Sequence, residues 1–221
     1  MLEILTLTRD KISERIWIME TAPEITRREG YHHGDLRAHL VEAARQLVEA
    51  KGPDRFSVSE ACRVAGVSTA APYRHFKDKD EMLVAVAAGG MHRQLENMLA
   101  AAGNHAMGTA ARINGLGRGY VDFARREPGV FCLIFGLTRD HADRDELISR
   151  GREIFEMVCT EVAAVLGHRP PGEDAIQRAF QLWSFVHGLS FLLIDDKLDR
   201  MGIEVDVDAH LVNVGGRILA N

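Results

Sequence analysis

The stretch Ser57–Phe76, SVSEACRVAGVSTAAPYRHF, decides the fold of this chain. Ser57-Val58-Ser59-Glu60 has the form of a capping box, in which a serine hydroxyl and a glutamate carboxylate each satisfy a backbone N–H left without a partner at a helix start. Val58, Ala61, Cys62 and Ala65 then recur at the i, i+3, i+4, i+7 spacing of one buried helix face. Gly66 can take the left-handed conformation that ends a helix, Val67 can plug the angle between two helices, and Ser68 can cap the next one. Two short helices joined by so tight a turn make a helix-turn-helix.

Pro72 sets the register of the second helix. A proline has no N–H and clashes with the carbonyl four residues back, so a helix tolerates it only in its first turn. The second helix is therefore predicted to begin near Ser68 or Thr69. That register turns Pro72 and Phe76 inward and Thr69, Ala70, Tyr73 and Arg74 outward. Small residues at the tip suit an approach to base edges, and Tyr73, Arg74 and His75 offer hydrogen-bond donors to bases or phosphates. The competing reading is the solvated face of a small core helix.

Around this stretch, 221 residues with 46% hydrophobic content are enough for one large domain or two small ones. Alternating β-branched runs are few, which predicts an all-α protein. The formal net charge of −5 is unevenly divided: residues 27–79 hold ten Lys/Arg against seven Asp/Glu, a net of +3. A basic head on an acidic body is expected where only the head meets phosphates. Cys62, Cys132 and Cys159 are far apart and odd in number, which fits a reduced cytoplasm. The N-terminal MLEILTLTRDKISERIWIM carries charges through its apolar residues and lacks the continuous hydrophobic region of a signal peptide. Ala179–Ile194 is the most apolar window, but a membrane span needs about 20 such residues. Gln181 and His187 interrupt it, so a buried or interface helix is expected there and no membrane association.

Residues 1–30 read as an N-terminal extension, with Arg27 and Arg28 as either a basic arm for DNA or a solvated tail. A first helix is predicted over about 35–50, with Leu36, Leu40, Ala43, Ala44, Leu47 and Val48 on one face. Another spans about 78–101 with Met82, Leu83, Val86, Leu95, Met98 and Leu99; the Gly89-Gly90 pair inside it signals a bend or a close helix crossing. Lys79, in its first turn, reads as a phosphate contact or as a surface lysine. Helices follow over about 109–126, 128–136, 142–167, 173–197 and 206–220.

YHHGDLRAHLVEAARQLV, SVSEACRVAGVSTAAPYRHF and KDKDEMLVAV together resemble the N-terminal domain of the TetR family of bacterial transcription regulators, over Tyr31–Leu83. With proline at position 72, AAPYRHF resembles the branch whose C-terminal domain carries a Trp-His-Gly signature, offered here by Trp183, His187 and Gly188 in LWSFVHGLSFL. The resemblance implies a three-helix helix-turn-helix DNA-binding domain over residues 31–80 and a helical effector-binding and dimerisation domain over 81–221. It further implies a homodimer, paired through the last two long helices, on a palindromic double-stranded DNA operator. A small hydrophobic effector would swing the helix that begins at Asp78 and release repression. Carried over by position, Ser57 and Ser68 would cap and touch phosphates, Thr69, Ala70 and Arg74 would read the groove, and Tyr73, His75 and Lys79 would anchor phosphates. Candidates for the effector pocket are Tyr120, Phe123, Phe131, Phe135, Phe155, Trp183 and His187, core packing being the competing role for each.

An enzyme is the first rival. Ten histidines invite a search for a metal, but His32 and His33 are adjacent and would diverge on a helix, and there is no HExxH, cysteine cluster or carboxylate pair at ligand spacing. GGMHRQ and GLGRG lack the strand that precedes a phosphate-binding loop. No catalytic residue, metal or cofactor is expected. The second rival is a ligand-independent dimeric DNA-binding or architectural protein, since a pocket and a filled core share the same apolar stripes.

Overall fold

The computed structural model describes residues 33–136 and 145–220. The N-terminal extension with Arg27 and Arg28, and a helix start at residue 142, lie outside the described residues. Helix α1, His33–Lys51, buries Leu40, Ala43, Ala44, Leu47 and Val48 along the predicted face. It stops at Gly52, whose φ of +81° is open to glycine and costly to other residues. Helix α2, Val58–Ala65, starts at Ser57, whose hydroxyl accepts the Glu60 N–H at 3.3 Å. The returning half of the capping box is redirected, since the Glu60 carboxylate meets Lys51 Nζ at 2.5 Å and so ties α2 to the end of α1. Gly66 closes α2 in the left-handed region (φ 69°, ψ 30°), with the Val67 N–H donating to the Cys62 carbonyl at 3.0 Å.

The second helix of the pair departs from expectation. In place of an α-helix from Ser68 or Thr69 there is a tight coil whose regular part is a 3-10 turn, Pro72–Arg74. The reason lies in Pro72: a helix capped at Ser68 would draw its first α-type bond from residue 72, which has no N–H to give. The Ala71 N–H instead reaches the Ser68 carbonyl at 3.1 Å, and the His75 N–H reaches the Pro72 carbonyl at 2.8 Å, both three residues back. The Phe76 N–H also donates to the Pro72 carbonyl, at 2.9 Å. The inside-outside register survives: Pro72 and Phe76 are buried, and Thr69, Ala70, Tyr73 and Arg74 are exposed.

The remaining α-helices are α3, Lys79–Ala102; α4, Ala110–Arg126; α5, Pro128–Gly136; α6, Asp145–Val165; α7, Glu173–Ile194; α8, Lys197–Arg200; and α9, Val207–Leu219. No strand occurs among the described residues. Asp78, Thr109 and Asp206 cap α3, α4 and α9, each accepting the N–H three residues on. The predicted run to residue 197 breaks at Asp196, whose φ of +52° ends α7 and opens the short α8.

Helix α4 is the central post, packed on α3, α5, α7 and α9. Its GLGRG run, set aside as a phosphate loop, is a helix-crossing device. Gly115 and Gly119 lie four residues apart on one face, and a Cβ at either would collide with the α3 backbone at Ala101–Ala102 and Asn97–Met98. Of a bend and a close crossing, Gly90 serves the crossing: a Cβ there would overlap Val130 of α5, while one at Gly89 would meet the Arg93 guanidinium at 3.3 Å. Past that crossing the buried face of α3 runs through Met91, Gln94 and Met98, and Leu95, predicted for it, is half-buried.

Candidate functional site

Two regions gather the residues singled out in the sequence. The first is the outward face of the helix-turn-helix. Tyr73 is 66% exposed, Thr69, Ala70, Arg74 and Ser68 are exposed beside it, and His75 is half-buried. Buried Pro72 and Phe76 hold the coil to the core from beneath, and the Arg37 guanidinium lies 5.0 Å from the centre of the Phe76 ring. Ser57 is committed to its cap on α2 and lies 3.4 Å from the Ser59 hydroxyl. Lys79, half-buried, extends over the Phe56 ring, with its Nζ 3.4 Å from the Asp54 carbonyl.

The second region is a cleft of 280 Å³ walled by α3, α4, α5, α6, α7 and α9. Tyr120, Phe135, Phe155 and Trp183 line it. Phe123 and Phe131 are fully buried outside that lining, Phe131 meeting Tyr120 edge-on at 5.6 Å between ring centres. His187 also stands outside the lining; its Nδ1 is 2.9 Å from the Tyr120 hydroxyl and its ring is 4.5 Å from that of Phe135. Burial holds His187 below the ordinary histidine range and pushes the Tyr120 phenol above the ordinary tyrosine range. The pair is therefore a neutral hydrogen bond at neutral pH.

Sequence reasoning missed the residues that α3 brings to this cleft: Met91, Gln94 and Met98. Their spacing was a usable signal, because i, i+3, i+7 sets a lone amide in line with two methionines. It also missed the clasp between α1 and α5. Glu49 of α1 accepts the N–H groups of Gly129 and Val130 at 3.0 and 2.8 Å, capping the start of α5, and Glu127 beside it takes both a 2.8 Å and a 2.6 Å bond from Arg93 of α3. At the other end of α5, Ile134 and Phe135 face the cleft. Such a clasp joins residues about 80 positions apart in sequence, which no local pattern reveals.

Comparison with known proteins places this geometry. Residues 40–86 match the family model described as bacterial regulatory proteins, tetR family, and residues 113–212 match a tetracyclin repressor-like C-terminal domain. The nucleoid occlusion factor SlmA of Photobacterium profundum is 28% identical over 141 residues, 60% of this chain and 67% of that protein. A protein of unknown function from Rhodococcus sp. RHA1 has a similar structure, with a TM-score of 0.72 and 28% identity over 87% of this chain and 97% of that one. The transcriptional regulator FadR from Bacillus subtilis, solved in complex with stearoyl-CoA, shares the fold at a TM-score of 0.62 and 14% identity, over 83% and 97% of the two chains. Among the described residues no helix is long and apolar enough to cross a membrane. With a helix-turn-helix head and an all-α body matched in order along it, the chain belongs to the TetR family of bacterial transcription regulators.

Proposed function

We propose that the protein is a cytoplasmic, homodimeric repressor that grips a palindromic operator and lets go when a small hydrophobic effector fills the cleft. The observation that carries this reading is the course of α3. Its first turn follows directly on the exposed Thr69, Ala70, Tyr73 and Arg74, and its middle supplies Met91, Gln94 and Met98 to the cleft wall. One continuous helix thus runs from beside the candidate DNA face to the candidate effector site, and α5, clasped by Glu49 at one end and facing the cleft at the other, gives a second path. In this reading residues up to about 80 meet DNA and those beyond bind the effector and the partner.

Dimerisation is assigned to α7 and α9, where Ile176, Phe180, Trp183 and Val212 are exposed apolar residues. Two heads must then meet half-sites about 34 Å apart, a spacing that tolerates little swing. A hundredfold loss of operator affinity requires the effector to favour the released conformation by about 2.7 kcal/mol. An apolar cleft can supply that by burying roughly 100 Å² of ligand surface at ~25 cal/mol per Å². The stearoyl-CoA held by FadR supports an effector with an apolar body at the level of a shared fold. The nucleoid occlusion role named for SlmA keeps the ligand-independent DNA-binding alternative in view.

Gel-shift titration against the DNA flanking the protein's own gene tests the reading. Sequence-dependent binding at moderate salt is expected, with release by a hydrophobic small molecule. Binding that ignores sequence would remove the operator reading; specific binding unmoved by ligands that occupy the cleft would favour the ligand-independent alternative.

A further inference from the structure

We propose that the cleft selects uncharged, apolar molecules that carry a hydrogen-bond acceptor, and that the Gln94 side-chain amide receives that acceptor. This rests on the reading of the cleft as an effector site. Gln94 is 2% exposed, and its Nε2 has no hydrogen-bond partner in the protein. It lines the cleft between Met91 and Met98 on the same face of α3. A buried amide donor left unpaired in an apolar wall is destabilising, and the polar groups of a folded interior are nearly always paired. The Tyr120 hydroxyl, on a helix packed against α3, is engaged by His187 Nδ1 at 2.9 Å. The Gln94 amide and the Trp183 side chain lie beside that same oxygen, the amide short of hydrogen-bond geometry, and because an NH2 carries two hydrogens at least one N–H is left over even if the other leans toward Tyr120.

Charge is settled by the rest of the wall. Among the described residues that line the cleft there is no Lys, Arg, Asp or Glu. A carboxylate or ammonium would leave water there with no counter-charge, which a neutral carbonyl avoids. Size follows from the 280 Å³. At no more than ~30 Å³ per non-hydrogen atom, the share of one water in the liquid, it holds a molecule of about nine non-hydrogen atoms with room to spare. A site that presents a donor also discriminates against analogues that lack the matching atom, because the donor is then left unpaired.

Three probes of equal size separate the possibilities: isopropylbenzene with no acceptor, acetophenone with a neutral carbonyl, and benzoate with a charge. Each is titrated calorimetrically into the full-length protein and into Gln94→Leu, with Gln94→Met as the second variant should leucine fail to fold. Acetophenone is expected to bind about tenfold more weakly to the variant, the equivalent of one hydrogen bond. Isopropylbenzene should keep or gain affinity, benzoate should bind wild type more weakly than acetophenone, and the ligand-free variant should melt no lower than wild type. Equal losses for both neutral probes, or tighter binding of benzoate than of acetophenone by wild type, would overturn the role of Gln94 while leaving the cleft a binding site. Failure of all three to bind wild type would overturn both this proposal and the effector reading beneath it.

Discussion

Arg74 stands exposed on the outward face, whereas Lys79 is half-buried over Phe56. If the first reads bases and the second anchors the backbone, their losses differ in kind. Arg74→Ala should relax sequence preference at one position by about 1–3 kcal/mol, and Lys79→Ala should weaken all operators alike and lower the salt slope by about one. Anisotropy titrations across operator variants and salt concentrations measure both, and identical behaviour would erase the distinction. His187 permits a second test at this scale. Burial depresses its folded pKa below the unfolded value, so between the two the unfolded chain binds more protons. Stability should therefore be complete above about pH 6.5 and fall as pH drops through that window. Denaturation midpoints from pH 7.5 to 5 should show less of this decline in His187→Gln, which keeps a side chain able to bond Tyr120.

At the scale of the element, the glycines of α3 and α4 set how closely helices cross. Gly89 and Gly90 are neighbours with different surroundings: a Cβ at Gly90 overlaps Val130, and one at Gly89 meets Nη1 of Arg93 at 3.3 Å, the guanidinium being held by Glu127. Gly90→Ala should cost about 1–3 kcal/mol through overpacking. Gly89→Ala should change stability by less than ~1 kcal/mol, the helix-propensity gain being set against a small shift of Arg93. Urea unfolding of the pair checks the contrast, which a simple bend in α3 would not produce. Helix α5 is the element whose sequence said least about its role. Nine residues, mostly apolar, predicted a helix, but its capping by Glu49 from α1 depends on a contact across 80 positions. The coil after Ser68 shows the reverse case: Pro72 announced both the register, which holds, and a helix, which its missing N–H prevents.

For the whole molecule, the exposed apolar stripe of α7 bears on assembly. Phe180 is 53% exposed and Trp183, which also lines the cleft, is 39% exposed. If the proposed dimer pairs through this stripe, Phe180→Asp should sediment as a monomer and lose tight operator binding, because one head alone loses the gain from two linked half-sites. Its fold should be retained, since the side chain is outside the core. The sequence by itself determined the class, the helix order and the outward face of the helix-turn-helix. Each of these follows from local causes: a cap, a left-handed glycine, a proline and the 3.6-residue period. Only the tertiary structure decided that Gln94 and not Leu95 turns inward, that Phe123 and Phe131 lie outside the cleft wall that Tyr120 and Phe135 form, and that Glu49 holds α5. These depend on how helices distant in sequence cross, and a crossing is set by the shapes of both surfaces at once, which no stretch of one chain segment contains.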